Sequence, residues 1–262
     1  MIRNCTRLIA AVVMTATAVS THAATCTAES TARRVALLEL YTSEGCNSCP
    51  PTDRWVSELP ARGYSPASVV TLAFHVDYWN YLGWRDPFAK AQYSERQRNA
   101  SRRNGARVVY TPQLLLNGRD YRRGIVFDDF GDRLGALKRD PAKARISLEL
   151  QTGVSGGLDV NGSVAVADPA ARAGAQAFLA LYEDNLSNHV TAGENRGKRL
   201  RHDFVVRDLA GPFPVDPGGE VRLRQRHQLD PHWKTGDLHV AAFVQSERSG
   251  DVLQALAMPV CR

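Results

Sequence analysis

Two cysteines separated by two residues, Cys46-Asn47-Ser48-Cys49, stand just after an apolar run from Val35 to Tyr41. Near-continuous apolarity is what a strand covered on both faces requires, and a Cys-x-x-Cys turn leaving such a strand fits a redox dithiol. Far downstream stands Thr111-Pro112. An X-Pro bond reaches the cis form at low cost, and a cis bond there leaves the preceding backbone free to pair with an extended substrate beside the sulfurs. Taken singly, the cysteines also read as a static disulfide or half of a metal site, and the Thr-Pro as an ordinary strand-initiating turn. In this order the two motifs reinforce one another.

The elements around them follow from period and punctuation. Helix formers from Asp53 to Leu59 end at Pro60 and Gly63, and Val69 to Val76 is a second β-branched, apolar run. Pro87 to Arg103 reads as a polar amphipathic helix with Asp86 as its N-cap. Pro112 to Leu116 is a third strand, Asn117-Gly118 a hairpin turn, Tyr121 to Gly124 a short fourth strand, and Asp128 to Lys138 a closing helix. The order β-α-β-α-β-β-α is that of a thioredoxin-like domain, placed at residues 30–142.

From Arg145 the pattern changes. Ile146 to Leu150, Leu158 to Val166, Ala177 to Tyr182, Leu200 to Val206, Val221 to Arg226, Leu238 to Gln245 and Val252 to Met258 alternate, with Gly- and Pro-rich breaks between them. Short strands at such spacing predict an all-β immunoglobulin-like sandwich over residues 145–262.

Arg3 and Arg7, an apolar stretch from Leu8 to Val19 and small residues to Ala24 predict a signal peptide over residues 1–23, and hence a periplasmic or secreted protein. The stretch is too short to span a bilayer, and no other run is long enough. Thr25 before Cys26 argues against lipidation. Removing the leader takes away Cys5 and leaves an even set, Cys26, Cys46, Cys49 and Cys261, in a compartment that permits disulfides. Parity then pairs Cys26 with Cys261 as a structural disulfide. The formal charge of +6 includes Arg3 and Arg7 and is otherwise spread out. The basic tract Arg196-Gly197-Lys198-Arg199-Leu200-Arg201 reads as a solvated edge rather than a nucleic-acid site.

Thiol exchange needs a thiolate that solvent can reach and a second thiol that resolves the mixed disulfide. Position gives Cys46 the first role and Cys49, which abuts Pro50, the second. Pro50-Pro51 remove amides from the first helical turn, so a helix starting at Pro50 would stabilise Cys46 less, and Glu44 would raise its pKa further. The segment His75 to Pro87 leaves the carboxyl end of the second strand and is unusually aromatic. It suggests a substrate platform of Trp79 and Trp84 with His75 or Asp77 assisting proton transfer; packing of the same rings beneath the sheet is the other reading. His75 with both cysteines would also suit copper or zinc. The leading reading assigns no metal and needs no cofactor; its partners are a protein or small-molecule disulfide or thiol and an unidentified redox partner.

Tyr41-Thr42-Ser43-Glu44-Gly45-Cys46-Asn47-Ser48-Cys49-Pro50-Pro51, His75 to Phe88, Val109-Tyr110-Thr111-Pro112-Gln113, Leu181 to Asp184 and Leu238 to Gln245 together resemble the thioredoxin-like exported bacterial proteins grouped as domain of unknown function 1223. Members commonly carry Asp where this chain has Asn80. The resemblance implies the fold and the dithiol, and no substrate.

Overall fold

The computed structural model describes residues 24–122, 128–153 and 156–261. The leader expected over residues 1–23 and part of the strand expected at Tyr121 to Gly124 lie outside these residues. In the first half come β1 (Ala24–Glu29), β2 (Ala36–Thr42), α1 (Pro50–Ser57), β3 (Val69–His75), α2 (Ala91–Arg103), β4 (Gln113–Leu116), β5 (Arg119–Tyr121) and α3 (Phe130–Arg139). The second half holds β6 (Arg145–Thr152), β7 (Gly157–Ala165), the short α4 (Pro169–Arg172), β8 (Ala175–Glu183), β9 (Leu186–His189), β10 (Arg199–His202), β11 (Val205–Pro214), β12 (Glu220–Gln228), β13 (Leu238–Ser246) and β14 (Val252–Pro259).

The halves share a sheet. Eight strands run in the order β14-β13-β8-β11-β3-β2-β4-β5, and β1-β6-β7-β12 form a second sheet. The seam is narrow: β11 meets β3 in parallel at the single register pair Val205–Ala73, with Ala73 N donating to Phe204 O at 2.8 Å.

Because side chains alternate along a strand, the long sheet feeds three cores. On β2, Leu37 and Tyr41 turn toward α2, whereas Ala36, Leu38 and Leu40 turn toward α1 and α3. Farther along, Phe178, Ala180 and Tyr182 of β8 join the α2 side. Ala177, Leu179 and Leu181 face the interior between the two sheets, opposite Ile146, Leu148, Leu150, Val160 and Val164. The α2 side is therefore one core built by both halves.

Local departures from the sequence-based elements have identifiable causes. α2 starts at Ala91, not Pro87, with Lys90 at the N-cap; Asp86 caps only a single turn there, its Oδ1 accepting from Phe88 N and its carbonyl from Ala89 N. The strand expected at Leu200 to Val206 is two strands. Phe204 sits in the left-handed region at φ 60°, its amide held by Asp184 Oδ1 at 2.7 Å, and the chain breaks there between sheets. β1 begins six residues before the expected start of the first half and pairs with β6, and Cys26 on β1 is bonded to Cys261 with Cα atoms 5.8 Å apart.

Candidate functional site

β2 and β3 run parallel and end side by side, Thr42 opposite His75. The carboxyl ends of such strands are where the chain turns out of the sheet, so loops gather there. The loop after β2 carries Cys46 and Cys49, bonded at 2.17 Å with Cα atoms 5.5 Å apart. α1 starts at Pro50, with Cys49 as N-cap and prolines in the first two helical positions. Thr52 N and Asp53 N both donate to Cys49 O, at 2.9 and 3.1 Å.

Each cysteine is 0% exposed, so in the disulfide state Cys46 lacks the solvent access expected of an attacking thiol and is as buried as Cys49, whereas Asn47 and Ser48 between them are exposed. Ser48 Oγ stands 3.3 Å from Cys46 Sγ. Gly45 permits the approach of the neighbouring loop, for a Cβ at that position would meet Trp79 Cβ at 2.9 Å.

The loop after β3 closes over this turn and carries the aromatic residues singled out in the sequence. Trp79 Nε1 donates to Thr111 Oγ1 at 2.8 Å, and Trp84 Nε1 to Glu44 Oε2 at 2.9 Å. Thr111–Pro112 is cis, and Pro112 lines a cleft of about 380 Å³ with Thr52, Tyr110, Leu114, Tyr121 and Arg122. Asp77 is turned away to Ser94, whose Oγ donates to it and accepts from its amide.

Behind the dithiol turn lies a buried knot of charge. His75, 0% exposed, meets Asp86 through Nδ1 at 2.7 Å; its Nε2 is buried without a partner among the described residues. Asp86 Oδ2 also accepts from Glu44 N at 2.8 Å, and its Oδ1 from Phe88 N at 2.9 Å. Asp53 accepts from Thr42 Oγ1 at 2.7 Å. Burial disfavours charge on all three groups, and their partners decide the outcome. Burial lifts the Asp53 carboxyl above its ordinary value, against the pull of His202 and His75. For His75 burial opposes protonation, but Asp86, Asp53 and Glu44 together hold it above its ordinary value. Asp86 is buried too, yet the His75 ring and the two amides hold it below the usual carboxylate range.

The second half of the chain completes the knot through residues that no local motif marks out. His202, the last residue of β10, meets Glu44 Oε1 through Nε2 at 3.0 Å, stands 3.9 Å from Asp53 through Nδ1, and packs edge-on to His75 at 4.9 Å between ring centres. Asn188 Nδ2 donates to Glu44 Oε1 at 3.0 Å. Asn195, fully buried, donates to Glu44 O at 2.8 Å and Cys46 O at 2.9 Å. Glu194 Oε2 accepts from Asn47 N at 3.0 Å. These residues lie about 150 positions from the cysteines, between strands that only the shared sheet brings near.

For the copper or zinc reading, no group of three or more His, Cys, Asp or Glu is arranged to hold a metal ion among the described residues. Nor, among the described residues, is any helix long and apolar enough to cross a membrane.

The fold is similar to that in the crystal structure of an Agrobacterium tumefaciens protein, at 28% identity and a TM-score of 0.59, covering 86% of this chain and 94% of that one. HBP35 of Porphyromonas gingivalis is similar at a TM-score of 0.65 and 14% identity, over 88% of this chain and 76% of that one. A domain of the outer membrane lipoprotein Omp28 from the same organism matches more distantly, at a TM-score of 0.31 and 14% identity, over 46% of this chain and 89% of that domain. No functionally curated protein matches. Residues 37–245, which hold the dithiol, the His75 loop, Thr111-Pro112 and the hairpin bearing Asn195 and His202, match the family described as "Protein of unknown function (DUF1223)", and the chain belongs to that family.

Proposed function

We propose that this protein is an exported thiol-disulfide oxidoreductase, its first half a thioredoxin-like unit and its second half an immunoglobulin-like sandwich that braces it. The observation that carries this reading is the Cys46–Cys49 bond, formed at the turn between the end of β2 and the start of α1. A disulfide that spans only three positions closes too small a loop to stabilise a fold much by restricting the unfolded chain. Its chemistry is the better reason for its presence.

In this mechanism a substrate thiolate attacks Cys46, the Cys46–Cys49 bond breaks and Cys49 leaves as a thiolate that takes up a proton; a second substrate thiolate then displaces Cys46, which is protonated in turn as the substrate disulfide forms. In the reverse direction Cys46 attacks a substrate disulfide and Cys49 resolves the mixed disulfide. Proton-holding side chains lie close by: Asp53 is four residues after Cys49 on α1, hence on the same helical face. Thr52 and Pro112 share the cleft that would hold the substrate. Tyr81 and Val108, 79% and 73% exposed, stand on the loops that carry Trp79 and Thr111 and favour a polypeptide substrate. Two disulfides suit an oxidising compartment, which supports export.

The test is thiol-dependent reduction of insulin disulfides. The wild-type protein should accelerate it, Cys46→Ser should abolish the acceleration, and Cys49→Ser should accumulate mixed disulfides through Cys46. If the wild type gives no acceleration and Cys49→Ser traps nothing, the oxidoreductase reading fails. Mixed disulfides on Cys46→Ser but not on Cys49→Ser would reverse the two roles.

A further inference from the structure

The hairpin between β9 and β10 reaches across from the second half and takes hold of the backbone on either side of Cys46. The donors available to a Cys46 thiolate can be followed one by one. Cys46 N donates to Ser43 O at 3.1 Å, and Cys49 N to Cys46 O at 3.3 Å. Pro50 and Pro51 have no N–H. Thr52 N and Asp53 N are spent on Cys49 O. The remaining amide in the turn that an anionic sulfur could use, beside that of Ser48, is Asn47 N, and the carboxylate of Glu194 occupies it. The donor recorded at Cys46 Sγ among the described residues is the Ser48 hydroxyl.

A thiolate is stabilised by amides at a helix start and by nearby cations, and destabilised by burial and by anions. Here two prolines blunt the helix start, both sulfurs are buried, and one amide of the turn, Asn47 N, is given to an anion. The charges facing the turn are mixed. Glu194 and Glu44 are anionic; Lys198 bonds Asn195 Oδ1 at 2.9 Å, and His202 meets Glu44. Behind them lie Asp53, Asp86 and His75.

We propose that Glu194 is a positioning residue that sets the redox poise of the Cys46–Cys49 pair, holding it as a low-potential dithiol that is stable as the disulfide and strongly reducing once reduced. This rests on the oxidoreductase reading for its biological use but not for its measurement. With dithiothreitol as reductant, one reagent thiolate attacks Cys46, the protein S–S bond breaks, and Cys49 departs as a thiolate and is protonated. The second reagent sulfur then displaces Cys46, which leaves as a thiolate and is protonated in turn. The reagent ends as its cyclic disulfide, and the protein has gained two electrons and two protons. A less stable Cys46 thiolate moves this equilibrium toward the protein disulfide.

The experiment titrates the oxidised protein with defined ratios of reduced and oxidised dithiothreitol, and separately follows Cys46 alkylation against pH in the reduced protein. Glu194→Gln keeps an acceptor for Asn47 N and removes the charge. Because Glu194 is exposed, solvent screens part of its field, so the expected shift toward the dithiol is about three- to tenfold in the equilibrium constant, at most about 30 mV for a two-electron couple. The Cys46 alkylation profile should move to lower pH, and Glu194→Asp should stay near wild type. Ser48→Ala should shift both readouts the opposite way. An unchanged equilibrium and alkylation profile in Glu194→Gln overturns the proposal. Shifted poise without insulin reduction would sink the oxidoreductase reading alone, whereas insulin reduction with unshifted poise would sink this one alone.

Discussion

Two buried clusters of charge lie on opposite faces of the same long sheet. On the α2 side, Arg96 bonds Glu39 Oε1 through Nε at 2.6 Å and Gln245 Oε1 through Nη2 at 2.8 Å. Its guanidinium lies 5.6, 5.0 and 5.0 Å from the ring centres of Phe74, Phe178 and Phe243. Arg103 is a second cation beside this pair, and its Nε is buried without a hydrogen-bond partner among the described residues. On the α1 side, at the ends of β2 and β3, Glu44, Asp53 and Asp86 share two imidazoles, and His75 keeps a buried nitrogen without a partner. Both clusters tie the halves together, since Gln245 and His202 each come from the second half. The difference is in protons. The Arg96 guanidinium stays charged across the working pH range, while an imidazole such as His75 can exchange a proton within it. One cluster is a bolt; the other can also serve chemistry.

The largest expected effect comes from breaking the bolt. Arg96→Met strands Glu39 in the core and should cost about 3–5 kcal/mol in urea unfolding, whereas Arg96→Met with Glu39→Leu should recover most of it. A single-variant loss below about 1 kcal/mol would erase the contrast, because it would mean that Glu39 is not held as an ion.

Next in size is His75→Gln, expected to cost about 1–3 kcal/mol near pH 6. Its signature is the pH dependence. His75 is raised, so its contribution is full below its unfolded value of about 6.5 and is lost as pH rises through the folded value. Asp86 is lowered, so its contribution is present above about 3.9 and is lost as pH falls through its folded value. Asp53, raised by burial, acts in the opposite sense and favours the fold as pH falls. The pair therefore stabilises most between the lowered Asp86 and the raised His75. His75→Gln should flatten the loss of stability on the alkaline side, and Arg96→Met should leave the shape of the curve alone. Parallel pH profiles for wild type and His75→Gln would contradict the assignment of a charged His75.

The smallest effect tests how tightly the site loops are joined. Trp79→Phe removes the bond to Thr111 Oγ1 and should cost about 0.5–1.5 kcal/mol. Its fluorescence consequence is specific: a Trp79 emission change on reduction of the dithiol, absent from Trp79→Phe, would tie the loop to the redox turn. Equal changes in the two proteins would separate them.

The difference between the clusters also explains what could be read from the chain. The dithiol turn and Thr111-Pro112 were legible because residue type and spacing carry the signal locally. β2 and β3 were legible because strands buried on both faces are continuously apolar. His202, Asn188, Glu194 and Asn195 were not, because they lie on a hairpin whose polar residues look like any solvated loop, and its nearness to Cys46 comes from the core and the sheet that the two halves share. Asp86 illustrates the same limit in miniature. Its place before Pro87 fits a cap, which its Oδ1 supplies to Phe88 N, but the imidazole 11 positions upstream that its other oxygen meets is invisible to local pattern. Phe204 broke a predicted strand because its left-handed backbone is fixed by Asp184, a contact no periodicity records.

β1 pairs with β6 in a register that sets Cys26 opposite Leu150, and Cys26 is bonded to a residue 235 positions away. On a ribosome adding about 5–20 residues per second, Cys261 follows Cys26 by on the order of 10–50 s. During that interval Cys46 and Cys49 are the cysteines within reach of Cys26, and the strand that will shelter it has no partner until β6 emerges. The order of manufacture thus runs against the order of assembly, and for a chain exported as proposed above, a strain lacking disulfide isomerisation should accumulate Cys26–Cys46 or Cys26–Cys49 isomers.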